Sequence, residues 1–295
     1  MRYSALIGNP VEHSVSPSMF KFISRKKNIE YEHLKINVES KEKLEETIQA
    51  MRTLGFCGFN ITIPYKIDIV KFIDNIDESA SIINSVNTVK IEKDKFIGLN
   101  TDGIAAVQAI ENKLCNITAD KKVLLIGAGG AARPICYEIY KKTKNIVVMN
   151  RYREEAEDMI KNISKDIKIY ELSNKNYITQ IQQADIIINA TPVGMYPNSS
   201  EQLLNDSIFE KINNMSKKCF FDVIFNPYET TLLNKANQYG AKTCSGLYMM
   251  IYQILLAFEI WTGIKCDEID IEEAKKYILD NGYNIEEKWK WILNK

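Results

Sequence analysis

The sequence predicts an α/β protein made of two domains. The chain has 295 residues, and a typical domain uses roughly 150. Short apolar stretches typical of strands alternate with stretches of helical periodicity along most of the chain, which indicates largely parallel sheets with crossover helices. A glycine-rich turn directly after one apolar strand adds a third observation, because such turns are typical of nucleotide-binding α/β domains.

The first half of the chain predicts a sheet with two helices and a hairpin. The apolar face of residues 41–51 is formed by Leu44, Ile48 and Met51, which lie at helical spacing. A Lys93-Asp94 turn separates two strand-like stretches, so these stretches are expected to pair. The predicted strands are residues 3–8, 34–38, 59–63, 86–92 and 95–99, and the helices are residues 17–27 and 41–51.

A second strand-helix series follows a helix at residues 102–114 and a polar stretch at residues 116–121, which is a candidate domain boundary. A long apolar helix at 246–261 and a charged helix at 267–280 come near the end, and Trp289 and Trp291 in the tail are expected to dock on the protein. The strands of this series are predicted at residues 123–126, 146–149, 167–170, 185–189 and 219–224.

Charge and composition exclude several classes of function. Thirty-eight basic and thirty-eight acidic residues give a net charge of zero, without the basic excess of nucleic-acid or membrane-surface binders. Two histidines exclude a histidine-rich metal site, and we expect His13 to be structural and His33 to lie on the surface. The six cysteines form no C-x-x-C pair, so no metal is expected. Without a signal-like or membrane-spanning apolar run, the sequence predicts a cytoplasmic protein with reduced, mostly buried thiols.

The glycine-rich turn fits the pattern G-x-G-x-x-A and predicts a Rossmann-type dinucleotide-binding domain. Its first glycine allows a sharp turn, and its second lets a pyrophosphate approach the backbone and the N-terminus of the next helix. A purely structural strand-helix turn is the alternative. The candidate cofactor-binding residues here are Gly127, Ala128, Gly129, Gly130 and Ala131.

The end of the next strand indicates which dinucleotide is bound. An NAD site usually has an acidic residue there, whereas this chain continues with Asn150, Arg151, Tyr152 and Arg153. A guanidinium group suits the 2′-phosphate of NADP and can also stack on adenine. The sequence therefore favours NADP over NAD, the alternative being a solvated helix start.

Four polar segments in the first half predict a site for a small polyhydroxylated ligand. They contain Ser14 and Ser16, then Thr62 and Lys66, then Asn87, and finally Asp102. All lie at strand ends or in loops, where ligand groups converge in open α/β sheets. Individually, Ser16 and Asp102 could instead cap the helices that follow them.

In combination and order, these motifs resemble the shikimate dehydrogenase family over almost the full length of the chain. The resemblance implies a reversible, NADP-linked reduction of 3-dehydroshikimate to shikimate. It is carried by residues 13–17, 58–66, 87–88, 98–102, the glycine turn, 150–151, 189–195, Asp222 with Pro227, 231–233, 246–253 and 257–259.

The resemblance also implies roles for individual residues. Lys66 and Asp102 match the pair that acts at the reacting oxygen, where hydride delivery to a ketone leaves an alkoxide that needs a proton. With so few histidines, a lysine is the natural donor, and Asp102 could hold its ammonium group. Substrate contacts are implied for Ser14, Ser16, Thr62, Asn87 and Gln253, and cofactor contacts for Asn150, Arg151, Arg153, Thr191, Val223, Gly246 and, more weakly, Glu78.

The implied organisation is a substrate domain at residues 1–102 with 245–295 and a Rossmann domain at 103–244, the C-terminal helices returning to the first domain. The chain departs from the family at Met19 and Phe20, where His-Asn is common, and at Phe225, which replaces a substrate-contacting tyrosine. A quinate/shikimate enzyme with relaxed substrate or cofactor use and a non-catalytic dinucleotide-binding regulator are therefore alternatives. Expected partners are small molecules, with neither nucleic acid nor membrane, and the chain is expected to be a monomer or homodimer.

Overall fold

The computed structural model describes residues 1–12 and 14–282. The chain divides into two compact units. Of the described residues, 1–12, 14–101 and 253–282 form the first unit, and the second runs from Asp102 to Tyr252. The polar stretch 116–121 therefore lies inside the second unit. His13, Trp289 and Trp291 lie outside the described residues.

The first unit is a six-stranded mixed sheet with helices. Its strands have the order β2-β1-β3-β5-β6-β4. The elements in chain order are β1 (Arg2–Gly8), α1 (Ser16–Lys26), β2 (Tyr31–Asn37), α2 (Leu44–Thr53), β3 (Gly58–Ile61), β4 (Asn75–Ile76), α3 (Glu78–Ile83), β5 (Thr88–Glu92) and β6 (Lys95–Leu99), with short 3-10 helices at Lys41–Lys43 and Asp68–Phe72.

Strands β2, β1 and β3 are parallel, as strand-helix alternation predicts, whereas β5 is antiparallel to both of its neighbours. The β5–β6 pair is a hairpin that turns at Lys93 and Asp94, which have φ values of 50° and 61°. Two consecutive left-handed residues form the tight turn that matches the twist of paired strands. The predicted hairpin is confirmed.

The core of the first unit contains apolar side chains from the sheet and from α2. Leu44, Ile48 and Met51, the predicted apolar face of α2, are all buried. They pack with buried sheet residues such as Phe59 and Val89. The helical spacing of the apolar positions thus identified the buried face correctly.

The prediction that His33 lies on the surface is wrong. His33 is buried on β2, where its ring stacks on Phe20 with centroids 4.0 Å apart. Its neighbours Glu32 and Leu34 point to the exposed face, so strand alternation places His33 inward. Phe20, one of the departures from the family pattern, also stacks on Trp261 at 5.5 Å and thus belongs to this aromatic core.

The C-terminal helices pack on the first unit, as expected. Helix α10 spans Gly246–Thr262 and α11 spans Ile271–Gly282. The indole N–H of Trp261 donates to the Val89 carbonyl at 2.9 Å. On α11, Glu273 forms an ion pair with Lys26 at 2.6 Å. These contacts join residues far apart in sequence into one unit.

The second unit contains a six-stranded, wholly parallel sheet. Its strands have the order β12-β11-β10-β7-β8-β9. The elements in chain order are α4 (Asp102–Lys113), β7 (Val123–Ile126), α5 (Ala132–Lys142), β8 (Ile146–Asn150), α6 (Arg153–Ile160), β9 (Lys168–Glu171), α7 (Asn174–Gln183), β10 (Ile186–Asn189), α8 (Asp206–Phe209), β11 (Cys219–Asp222), α9 (Thr231–Gln238) and β12 (Lys242–Ser245), with a 3-10 helix at Met215–Lys217 and the first residues of α10.

This strand order is that of the Rossmann fold. Numbered from β7, the sheet reads 3-2-1-4-5-6, and the order reverses between β7 and β10. The four inner strands β8, β7, β10 and β11 are nearly continuous apolar runs, because helices cover both faces of a parallel sheet. Within residues 1–12 and 14–282, no helix is long and apolar enough to cross a membrane.

Candidate active site

The predicted substrate-binding residues of the first unit lie at one edge of its sheet. Strands β1 and β3 run parallel, so the segments that follow them leave at the same edge. Because β5 runs antiparallel to β3 and to β6, the start of β5 and the end of β6 lie at this edge too. Thr62 follows β3, Asn87 precedes β5, and Ser14 lies in the segment after β1.

Asn87 is the centre of a buried hydrogen-bond network at this edge. Its side-chain oxygen accepts from the Thr101 backbone N–H at 2.9 Å and from the Thr88 hydroxyl at 2.9 Å. Its amide nitrogen donates to the Thr101 hydroxyl at 3.1 Å. Asn60 adds a further link, since its amide donates to the Asn87 carbonyl at 3.2 Å. The network fixes the ends of β3, β5 and β6 relative to one another.

The two predicted serines also lie together. The hydroxyls of Ser14 and Ser16 are 3.0 Å apart, and the Ser16 backbone N–H donates to the Ser14 hydroxyl at 3.2 Å. Ser16 is the first residue of α1, and Val15 occupies the cap position without a side-chain cap. The interpretation of Ser16 as a cap is therefore wrong, and the substrate contacts of both serines stay predictions.

Lys66 lies in the loop that follows β3. Its backbone carbonyl accepts from the Val86 N–H at 2.9 Å, which ties this loop to the segment before β5. The preceding residue, Tyr65, donates its hydroxyl to the Val38 carbonyl at 2.7 Å. The loop is thus anchored on both sides, and the Lys66 side chain is half-buried.

The remaining residues predicted to face the substrate occupy two helices. Asp102 is the first residue of α4 and is buried. Gln253 lies in α10 and is half-buried, and with it the chain returns to the first unit. Glu78, a weakly implied cofactor contact, is exposed at the start of α3 in the first unit. Its role stays a prediction.

In the second unit, the glycine turn has the shape that a pyrophosphate requires. Gly127 has a φ of +108°, and a Cβ atom there would lie 2.9 Å from the Ala190 carbonyl oxygen. By contrast, a Cβ at Gly129 or Gly130 would meet nothing within 4 Å. The turn is therefore tight where it meets the sheet and open where α5 begins, so a phosphate can reach the backbone N–H groups. These residues fit a dinucleotide.

The arginines predicted to recognise the 2′-phosphate lie at the end of β8. Asn150 donates its amide to the Tyr152 carbonyl at 2.9 Å and to the Glu155 carboxylate at 2.8 Å, which shapes the turn into α6. Arg151 is exposed. Arg153 is also exposed and pairs with Glu157 one turn along α6 at 2.7 Å. Both arginines thus follow the carboxyl end of β8, and only β7 lies between β8 and the strand-order reversal.

A buried network that the sequence analysis did not assign lies behind Thr191 and Val223. Asp222 accepts from the Asn189 amide at 3.0 Å, the Ile224 N–H at 3.0 Å and the Thr230 hydroxyl at 2.7 Å. The Asn189 oxygen accepts from the Thr191 N–H and hydroxyl at 3.0 and 2.7 Å. Burial raises the pKa of Asp222 to about 7.

This network holds the loops after β10 and β11, which carry the predicted cofactor contacts. Asn189 and Asp222 could have been found from the sequence, because each is the single polar residue ending an otherwise apolar strand. Gly246 completes this edge. A Cβ there would lie 2.0 Å from the Val223 carbonyl oxygen, so only glycine allows the end of β12 to approach this loop.

In the part of the chain that the structure describes, there is no group of three or more His, Cys, Asp or Glu side chains that could hold a metal ion. The fold and the site instead define a dinucleotide-binding α/β protein with a separate unit for a polar ligand.

Comparison with known proteins identifies the family. Residues 6–89 match the shikimate dehydrogenase substrate binding domain, and residues 109–231 match the shikimate / quinate 5-dehydrogenase family. The chain is 43% identical over 270 residues to a shikimate dehydrogenase (NADP(+)) of Methanococcus maripaludis, with 91% of this chain and 94% of the relative covered. The chain belongs to the shikimate dehydrogenase family.

Solved structures agree. A crystal structure of a shikimate dehydrogenase in complex with NADP+ has a TM-score of 0.85 and 40% identity, with 95% of each chain covered. A shikimate 5-dehydrogenase from Listeria monocytogenes, in complex with shikimate and NAD, has the same TM-score of 0.85 and 29% identity, covering 94% of this chain and 96% of that one. The predicted family, fold class and NADP dependence are confirmed.

Proposed function

We propose that this chain catalyses the reversible, NADPH-dependent reduction of 3-dehydroshikimate to shikimate, a step in aromatic amino-acid biosynthesis through chorismate. The observation that carries this proposal is the 43% identity to a shikimate dehydrogenase (NADP(+)) across nearly the whole of both chains. The polar edge of the first unit and the glycine turn of the second unit supply the two kinds of site that this reaction needs.

The first unit supplies the groups for the substrate. The hydroxyls of Ser14 and Ser16 form a pair of donors suited to a carboxylate. Thr62 and Asn87 lie at the same sheet edge and suit the ring hydroxyls, and Gln253 can reach a hydroxyl from α10. Because the hydrogen bonds of Asn87 are already formed within the protein, its side chain is preorganised for the ligand.

Lys66 and Asp102 are proposed to handle the proton. Bound NADPH supplies the hydride. In the reductive direction the ammonium group of Lys66 donates a proton to the oxygen of the reacting carbonyl as negative charge develops there, and Asp102 orients that ammonium group. In the oxidative direction Lys66 takes the proton from the hydroxyl.

The second unit is proposed to hold NADP. Backbone N–H groups at Gly129, Gly130 and Ala131 face the pyrophosphate, and Arg151 binds the 2′-phosphate with Asn150 and Arg153 beside it. Thr191, Val223 and Gly246 are proposed to line the cofactor at the ends of β10, β11 and β12.

We further propose domains at 1–102 with 245–295 and at 103–244. We also propose a cytoplasmic location, a monomer or homodimer, and no nucleic-acid partner.

The test of the activity is NADPH oxidation with 3-dehydroshikimate as substrate. The wild type should turn over, and Lys66→Ala should lower kcat by about 10²- to 10⁴-fold, the usual contribution of a positioned acid-base group. Lys71→Ala, which removes an exposed lysine five residues away, is the matched control and should keep full activity. Absence of turnover in the wild type would refute the proposed reaction, and full turnover in Lys66→Ala would refute the role of Lys66.

Phe225 justifies a second assay, in the oxidative direction, with quinate as the substrate. This residue lacks the hydroxyl that many family members use on the substrate, so selection against quinate relies on the remaining groups. Oxidation of quinate with NADP+ at a kcat/KM comparable to that for shikimate would favour the quinate/shikimate alternative.

A further inference from the structure

Two cysteines of the second unit, Cys115 and Cys219, are in side-chain hydrogen-bond contact. Cys115 follows α4 by two residues, and its backbone N–H donates to the Ile110 carbonyl at 3.1 Å, which ends the helix. Cys219 is the first residue of β11. The pair therefore joins the end of a helix to the start of a strand, 104 positions along the chain (219 minus 115).

The packing of α4 accounts for this contact independently. Gly103 lies against the Pro134 carbonyl at the start of α5, and Glu111 pairs with Lys142 at its end at 2.9 Å, so α4 runs parallel to α5. Helix α5 returns from the carboxyl edge of the sheet to its amino edge. The C-terminal end of α4 therefore lies at the amino edge, where β11 begins.

The pairing of β12 with β11 also places Cys115 and Cys219 at the same level along the sheet. The Cys244 thiol lies 4.0 Å from the Ala109 carbonyl, which places α4 over β12. From Ala109 to Lys113, where α4 ends, the helix rises by about 6 Å, and Cys115 follows two residues later. From Cys244 back to Lys242 the strand covers about 7 Å, and Lys242 is the register partner of Cys219. Both routes end at the same level of the sheet.

The surroundings favour a reactive thiolate at Cys115. The Cys219 thiol donates to the Cys115 sulfur, and the positive charges of Lys121 and Lys242 lie nearby, so the pKa of Cys115 is lowered to about 7. The same contact raises the pKa of Cys219. Cys115 is half-buried and Cys219 is buried, so an outside reagent meets Cys115 first.

We propose that Cys115 and Cys219 form a redox-active dithiol, which a low-molecular-weight disulfide converts into a disulfide bond within the second unit. The Cys115 thiolate attacks one sulfur of the small disulfide, forms a mixed disulfide and releases one small thiolate. The Cys219 sulfur then loses its proton and attacks the Cys115 sulfur, which expels the second small thiol. Two protein thiols are oxidised, and the small disulfide is reduced to two thiols.

Cys57 is the natural comparison, because it is half-buried like Cys115. Burial raises its pKa, and its thiol donates to the Tyr3 carbonyl at 3.0 Å. The other cysteines, Cys136, Cys244 and Cys266, are buried. Exposure alone therefore does not distinguish the reactivity of the two thiols. The contact of Cys115 with Cys219 and the nearby lysine charges do.

The test is oxidation of the full chain by oxidised glutathione at neutral pH, followed by alkylation, trypsin digestion and mass spectrometry. Cleavage after lysine places Cys115 in peptide 114–121 and Cys219 in peptide 219–235, each with a single cysteine. We expect a product lighter by two hydrogen atoms in which these peptides are linked. Cys115→Ser should yield no such product, and the matched control Cys57→Ser should yield it in full.

Alkylation by iodoacetamide gives a second measurement. Cys115 should react at a clearly lower pH than Cys57, because the contact with Cys219 lowers the pKa of Cys115 whereas burial raises the pKa of Cys57. A glutathione adduct that stays on Cys115, or oxidation confined to Cys57, would overturn the proposal, and so would a lack of reaction in the wild type. The readout uses neither substrate nor NADPH, so its failure is separate from failure of the proposed dehydrogenase activity.

Discussion

At the scale of single residues, the surroundings decide what a polar side chain does. His33 is enclosed by Phe20 and Trp261, and its Nδ1 accepts from the Ser4 hydroxyl at 2.7 Å. That hydroxyl in turn accepts from Tyr31 at 2.7 Å. Among the described residues, Nε2 has no hydrogen-bond partner. This imidazole is therefore a neutral core side chain, and a positive charge on it would be buried away from water.

Acid should destabilise the protein through His33. Burial lowers the pKa of His33 from 6.5 to about 3 in the folded state, whereas the unfolded chain protonates near the ordinary value. Its contribution to stability is complete above pH 6.5 and is lost as the pH falls from 6.5 toward 3. At pH 5 the loss should reach about 2 kcal/mol.

Urea unfolding between pH 7.5 and pH 5 measures this effect. His33→Gln removes the titrating group and keeps a hydrogen-bond acceptor for Ser4, so its free energy of unfolding should vary less with pH than that of the wild type. Identical pH slopes for the two proteins would contradict the buried position of His33.

At the scale of elements, close backbone approaches hold the C-terminal helices to the first sheet. The Trp261 indole lies against Gly58 on β3 and donates to Val89 on β5, so a single side chain spans two strands. A Cβ at Gly58 would lie 2.2 Å from the indole nitrogen and 2.3 Å from the Val89 oxygen. Glycine is needed here because of this packing and not because of an unusual backbone angle.

Gly58→Ala should therefore destabilise the protein. The added methyl group displaces the indole, which costs about 1–3 kcal/mol for overpacking and about 1 kcal/mol for the lost hydrogen bond. Thermal unfolding followed by circular dichroism checks this loss. Gly129→Ala, where a Cβ meets nothing within 4 Å, is the stability control and should change the melting temperature little. Equal melting temperatures for the two variants would contradict the packing of Trp261.

At the scale of the whole molecule, the chain crosses between its two units at Thr101–Asp102 and again at Tyr252–Gln253. Apart from Asp102, which begins the second unit, and Glu78, which lies in the first, substrate groups are proposed in the first unit and cofactor groups in the second. Each unit has its own sheet. A ligand that binds only the folded form of a unit raises the free energy of unfolding, so its binding can be detected as a gain in stability. Selectivity for the cofactor can thus be tested without turnover.

NADP+ should stabilise the chain more than NAD+ does, and Arg151→Ala should remove most of that difference. A ligand at about 100 times its Kd adds about 2.7 kcal/mol to the free energy of unfolding, which a thermal shift detects easily. Arg25→Ala, which removes an exposed guanidinium from α1, is the control and should retain the wild-type preference. Equal losses with both dinucleotides in Arg151→Ala would refute recognition of the 2′-phosphate by this residue.

Much of the fold could be predicted from periodicity and turn chemistry. The strands at β7 and β10 and the apolar face of α2 follow from local patterns, and the hairpin follows from a turn at Lys93 and Asp94. Local patterns did not reveal that β5 runs antiparallel to β3, because strand direction depends on pairing between distant segments. The candidate site residues were named from motifs, and their roles remain proposals.

By itself, the sequence determined the α/β class, the glycine turn and the arginines that follow β8, because these depend on neighbouring residues. Only the tertiary structure decided the buried state of His33, the Asn189–Asp222–Thr230 network and the pairing of Cys115 with Cys219. Each of these depends on groups brought together from distant parts of the chain, and both burial and hydrogen bonding depend on what lies nearby in space.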